Sequence, residues 1–186
     1  MLGASVLGLG DARVLAEPLG FTDPATALEP AERLGNNGKL TFPVDPTGGD
    51  LVMPNGYREG VHMGIDIGNG CSDGRGRLVI ACADAVVNSM EQAPRSGKYI
   101  TLRDRLDNYY RYHHLDEFIG GMEVGDAVSA GQVIGLMGIT GNTIWAHVHF
   151  EVWRQSLNPR IGFPVDPLPL LPRPAGLTIG LPRCGD

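Results

Sequence analysis

The chain has 186 residues and an ordinary apolar fraction of 42%, enough for one domain with its own core and too much for a wholly disordered chain. Its formal net charge is −6 with no basic block, which excludes the clustered Lys and Arg on which non-specific nucleic-acid binding rests. No stretch reaches the ~20 apolar residues of a membrane span, and the 27 Gly and 14 Pro favour short strands and turns over a helical bundle.

In chain order, residues 1–40 read as an N-terminal arm. Its opening segment, Met1 to Gly10, is mildly apolar but lacks a basic n-region and a full h-region, so no signal peptide is readable. Asp23-Pro24 predicts a helix start with Pro at the first helical position, and Gly35-Asn-Asn-Gly38 predicts its stop. Residues 41–167 form the strand-rich body. Strands are predicted at Val79 to Ala83, Ala85 to Val87, Tyr99 to Leu102, Tyr109 to Tyr112, Gln132 to Ile134 and Ala146 to Val152. From Asn158 onward lie half of the 14 prolines, and residues 168–186 read as an extended, Pro-rich tail that cannot supply a central strand. The expected architecture is one all-β domain with irregular N- and C-terminal arms.

Three scattered cysteines, Cys71, Cys82 and Cys184, give an odd count with no C-x-x-C. A Cys71–Cys82 disulfide would close a short loop, yet unpaired, mostly buried thiols are the favoured reading.

The histidines carry more information. The chain has five, His62, His113, His114, His147 and His149, in three short clusters. In His62-Met-Gly-Ile-Asp-Ile67, strand alternation sends His62, Gly64 and Asp66 to one face and Met63, Ile65 and Ile67 to an apolar one. In His147-Val-His-Phe-Glu-Val152 the same rule groups His147, His149 and Glu151, backed by Val148, Phe150 and Val152. A lone histidine on a strand is ordinarily a surface or hydrogen-bonded residue. An H-x-H pair together with H-x-x-x-D, each on an amphipathic strand, makes a metal site the better reading. The His/Asp/His set suits Zn²⁺ with an open fourth position, and a 2-His-1-carboxylate set also suits Fe(II), which keeps a loosely cupin-like iron enzyme open. H-E-x-x-H and its inverse are absent, so no helix-borne zincin is encoded.

His62-Met-Gly-Ile-Asp66, Tyr112-His-His-Leu115 and His147-Val-His149, with the Gly-rich Val124 to Gly135 and Thr140-Gly141 between the last two, resemble the lysostaphin/LytM-type peptidases. These are the M23 family of cell-wall endopeptidases, and the resemblance spans about residues 57–153. It implies a barrel-sandwich hybrid of antiparallel β-sheet, the LytM type or duplicated hybrid motif. It further implies His62, Asp66 and His149 as zinc ligands, His114 and His147 as the two catalytic histidines, and bacterial peptidoglycan as substrate. His113 fits no role in the family and reads as exposed or structural. The family's upstream Phe-Gly-x-Arg is absent, and its Gly-Pro before H-x-H is Trp145-Ala146 here, which bears on specificity rather than chemistry. Trp145 reads equally as a stacking surface for substrate or as a half-buried aromatic.

Val124 to Ile134 is also similar to the hairpin of biotinyl and lipoyl carriers, but neither Lys39 nor Lys98 sits in an attachment turn. A catalytically silent wall-binding or regulatory relative is the stronger rival, and retention of all three ligands and both histidines favours an active enzyme. With no readable signal peptide, an acidic charge and two Pro-containing arms, the domain is expected in a virion-associated or extracytoplasmic setting. There it would be built into a larger assembly such as a phage tail or baseplate, with a late-acting endolysin as the alternative.

Overall fold

The computed structural model of the protein describes residues 39–70 and 73–181. The predicted helix after Asp23, most of the N-terminal arm, and Cys71 and Cys184 lie outside these residues.

Among the described residues eleven strands appear in chain order: β1 (Leu51–Asn55), β2 (Ile65–Asn69), β3 (Leu78–Ile80), β4 (Ala85–Ala93), β5 (Gly97–Arg103), β6 (Asn108–Phe118), β7 (Ala127–Val128), β8 (Val133–Met137), β9 (His147–Arg154), β10 (Phe163–Val165) and β11 (Leu177–Ile179). They form one mixed sheet in the order β11-β1-β2-β9-β6-β5-β4-β7, with β10 on β9 and β8 joining β3 to β6. Every pairing is antiparallel except β1 with β11, which run parallel. β11 falls in the stretch read from sequence as a tail, and it occupies an edge, the one place where Pro-flanked chain can pair.

The core follows from alternation. Ile65 and Ile67 of β2, Val148, Phe150 and Val152 of β9, Tyr110 and Tyr112 of β6, and Ile100 and Leu102 of β5 are all fully buried on one side of the sheet. Each such side chain contributes roughly 1.5–3 kcal/mol by leaving water. Cys82 joins this core as a free, fully buried thiol whose pKa is pushed up by burial. Its backbone N–H donates to the Tyr112 hydroxyl at 2.8 Å.

One sequence expectation needs correction, and another narrows to one of its two readings. β2 begins at Ile65, so His62 stands before the strand, in a turn closed by an Arg58–His62 bridge. Because strand alternation does not reach back that far, Met63 is not on the apolar face with Ile65 but is 40% exposed. His113, read as exposed or structural, is only 6% exposed. Alternation from buried Tyr110 and Tyr112 puts it opposite His149, and a β-bulge brings His114 to the same face. Lys98 pairs with Leu115 and Ile100 with Tyr112, so His113 and His114 together oppose Tyr99. His114 adopts φ 64°, and two consecutive side chains reach the same face.

Candidate metal centre and catalytic cleft

The strands β2, β9 and β6 lie side by side, and their register sets the site. Asp66 pairs directly with His149, which pairs on its other side with His113. His147 pairs with Gly68, one step along. With the turn that carries His62, this row floors an open cleft of about 570 Å³ that also takes in Val61, Arg95, Ser96, Asn142, Ile144 and Trp145.

His62 Nε2, Asp66 Oδ1 and His149 Nδ1 converge, with one ligand atom from each residue lying within 4.8 Å of the others. His62 Nε2 is 3.1 Å and His149 Nδ1 2.8 Å from Asp66 Oδ1. The outer nitrogen of each ring faces a fixed acceptor: His62 Nδ1 the Gly56 carbonyl at 2.8 Å, His149 Nε2 the Glu151 carboxylate at 3.1 Å. A carbonyl or carboxylate only accepts, so each outer contact can hold a ring proton, and a cation that displaces the protons shared with Asp66 would find a lone pair on each inward nitrogen. Asp66 Oδ2 in turn accepts from Asn55 Nδ2 at 2.8 Å. Without a metal, protons on the inward nitrogens supply the positive charge beside Asp66. Burial works against charge on His149, but its hydrogen bonds to Asp66 and Glu151 prevail and lift its pKa to about 9. Burial likewise opposes charge on Asp66, yet His149, His147 and Asn55 hold it down at about 2. One carboxylate oxygen and two inward imidazoles are a donor set that fits a divalent transition metal.

Beside this group sit two further imidazoles, with ring centroids 4.8 Å apart. His147 Nδ1 faces the Trp145 carbonyl at 3.0 Å, and its Nε2 points toward Asp66 Oδ1 at 3.6 Å. His114 Nδ1 faces the Thr140 carbonyl at 2.8 Å. Each therefore keeps its proton on Nδ1 and a lone pair on Nε2. Burial is the main cause of a lowered pKa in both, to about 4 in His147, so both rings are neutral at pH 7. Trp145 is half-buried and stacks on His147 at 4.2 Å and 13°.

The structure thus brings together all five residues singled out in the sequence, His62, Asp66, His114, His147 and His149. It adds four that sequence reading passed over or left without a role. Asn55 and Arg111 have no motif to mark them, Thr140 was noted only as part of a Gly-containing run, and His113 was left without a role.

An all-β domain holding an inward-facing His/Asp/His group beside two neutral imidazoles is the arrangement of a metallohydrolase. The sequence matches Peptidase family M23 over residues 60–166, more than half of the chain, and the chain belongs to that family. It is 30% identical over 101 residues to an uncharacterized metalloprotease of Buchnera aphidicola, covering 53% of this chain and 25% of that protein. It is 34% identical over 77 residues to the peptidoglycan DD-endopeptidase ShyA of Vibrio cholerae, covering 41% of this chain and 17% of ShyA. The chain spans a quarter or less of the length of these two relatives. Among solved structures, the antimicrobial peptidase lysostaphin from Staphylococcus simulans superposes with a TM-score of 0.54 at 27% identity, over 64% of this chain and 48% of that one. A zinc-containing peptidase from Vibrio cholerae does so with a TM-score of 0.51 at 27% identity, over 67% and 37%.

Proposed function

We propose that the protein is a zinc-dependent endopeptidase that hydrolyses peptide bonds in the stem or cross-bridge peptides of bacterial peptidoglycan. The observation that carries this reading is the convergence of three ligand atoms, from His62, Asp66 and His149, beside two imidazoles kept neutral by burial. His62, Asp66 and His149 would hold the metal. Zn²⁺ in such a set supplies a Lewis acid that polarises a carbonyl and brings the pKa of water near 7. His147 Nε2, aimed at the same point, takes the proton of the attacking water, and the His114–His147 pair delivers it to the leaving amine. A protonated imidazole in the cleft also stabilises the developing oxyanion, an effect worth about 3–4 kcal/mol where a single donor has been removed elsewhere. Trp145 and the exposed Val61, Met63 and Ile144 give the cleft an apolar rim for substrate side chains.

The silent-relative alternative loses ground because no ligand and neither catalytic histidine has been replaced. Work at the wall outside the cytoplasm, within a phage tail or baseplate, rests on the acidic charge and the Pro-containing arms. It would be tested by searching purified particles for the chain.

The enzyme itself is tested by incubating the purified protein, with its metal content measured, on peptidoglycan from several bacteria, and reading products by mass spectrometry. New amino termini within stem or bridge peptides, lost on chelation and restored by zinc, are the expected result. Stoichiometric zinc with no cleavage on any wall would overturn the catalytic reading, and stoichiometric iron would replace the zinc one.

A further inference from the structure

Glu151, two residues beyond His149 on β9, is 6% exposed and lies behind the metal group rather than in it. Its two oxygens have separate tasks. Oε1 accepts from His149 Nε2 at 3.1 Å. Oε2 accepts from Arg111 Nη1 at 3.0 Å and from Trp153 Nε1 at 2.7 Å. His113 Nε2 stands 3.9 Å from Oε1, beyond hydrogen-bond reach, so it leaves that oxygen to His149. The His113 ring, stacked on Tyr99 at 5.4 Å, abuts the His149 edge at 5.2 Å and narrows the space in which that ring can turn.

We propose that Glu151 is the residue that fixes the tautomer and orientation of His149, and that a carboxylate is required there because both of its oxygens must accept. The proposal rests on the metal reading given above. The donors on the Oε2 side, an arginine N–H and an indole N–H, cannot reverse their roles. An amide at this position has one accepting end and one donating end. With its oxygen toward Arg111 and Trp153, its NH₂ faces His149 Nε2 and demands a lone pair there. The ring proton then moves to Nδ1, the nitrogen aimed at Asp66, and the third ligand is lost. With the amide reversed, its NH₂ meets two donors. Glu151→Gln keeps the shape and removes the logic, so it separates positioning from packing.

The experiment measures zinc affinity by chelator competition together with the ¹⁵N spectrum of the His149 ring. In the zinc-loaded wild type, Nε2 carries the proton and Nδ1 does not. Glu151→Gln is expected to weaken zinc binding by about 10–100-fold, the usual effect of removing such an outer partner. Because Arg111 then loses its counter-charge, a second comparison avoids any folding defect. Two triple variants, Arg111→Met and Trp153→Phe combined with either Glu151→Gln or Glu151→Met, share the same apolar lining. They differ only in having an acceptor free to turn to His149, and the Gln form is expected to bind zinc about 10-fold or more tightly than the Met form. Equal zinc affinity of the two triple variants, or a Glu151→Gln protein within about twofold of wild type, would overturn the role of Glu151 alone. A wild type that binds no zinc would overturn the metal reading and this role with it.

Discussion

Replacing Gly97 by alanine tests the seat of His114 without touching a metal ligand. Gly97 opens β5 at φ 63°, and a Cβ there would lie 2.2 Å from Thr140 Oγ1 and 2.4 Å from the Thr140 carbonyl carbon and oxygen. Gly141 is pressed into the same contact, its own added Cβ falling 2.3 Å from the Gly97 nitrogen. Backbone packs on backbone here, so no flexible side chain can yield. Restoring ordinary contact from 2.4 Å requires the two segments to part by roughly 1 Å. Thr140 then withdraws from His114 Nδ1, now at 2.8 Å, and from Lys98 N at 2.9 Å. The left-handed backbone costs alanine about 1 kcal/mol and each lost hydrogen bond about 1 kcal/mol, giving a destabilisation of about 2–4 kcal/mol. A ~1 Å displacement of a catalytic imidazole lowers turnover about 100-fold. The assay is urea unfolding of the zinc-loaded protein alongside turnover on a cross-linked wall peptide, with zinc content unchanged. A Gly97→Ala protein within about 0.5 kcal/mol and twofold of wild type would refute the reasoning.

The ligand and catalytic assignments separate in two variants. His149→Ala is expected to lose zinc and activity together, whereas His114→Ala keeps zinc and loses about 10²–10⁴ in turnover; near-normal turnover in the latter would remove His114 from the mechanism. Trp145→Ala, which strips the surface stacked on His147, should raise KM about 2–10-fold with zinc binding intact, measured by steady-state kinetics and metal titration. The metal-free protein should lose thermal stability on both sides of neutrality. His113 and His147 have folded pKa values of about 3 and 4, set chiefly by burial and below the unfolded value, so the unfolded chain takes up protons first as pH falls below about 6.5. Asp66 and Glu151, both held at about 2 by their partners, keep their contribution down to about pH 4.5 and lose it only below that, as pH falls toward 2. His149, at about 9, contributes fully below pH 6.5 and loses that contribution as pH rises through 9. Unfolding temperatures of chelator-treated protein from pH 4 to 10 check this, and a monotonic profile would contradict it.

Where apolar and polar residues alternate strictly, the sequence was a direct guide. His147, His149 and Glu151 alternate with Val148, Phe150 and Val152, and the strand stands as read because a one-residue slip would turn all three apolar side chains toward the polar cleft. Parts of the long strands β5, β6 and β9 showed in β-branched and aromatic runs, whereas Ala85 to Val87 marked only the start of β4. Pro54 sits inside β1 and Pro164 inside β10, which hides peripheral strands behind turn-like composition, and β7 is too short to show a period. The bulge at His113 and His114 was illegible for a different reason. Alternation assumes one residue per step, and nothing in Tyr112-His-His-Leu115 marks where the count changes. Asn55 escaped notice because its contact with Asp66 joins strands whose pairing no local pattern declares.

That bulge sets two selective demands against each other at a single position. The backbone of residue 114, at φ 64°, suits glycine, and a branched-off side chain there carries a standing cost of about 1 kcal/mol. The cleft asks for imidazole at the same place. His114→Gly would relieve that backbone cost but give up a buried ring and its hydrogen bond to the Thr140 carbonyl, worth about 1 kcal/mol, so the fold gains nothing by the change. A library screened only for heat resistance would have no reason to favour either residue, while one screened for wall lysis would keep histidine. Residue 114 is thus held by what the cleft needs rather than by what its backbone prefers.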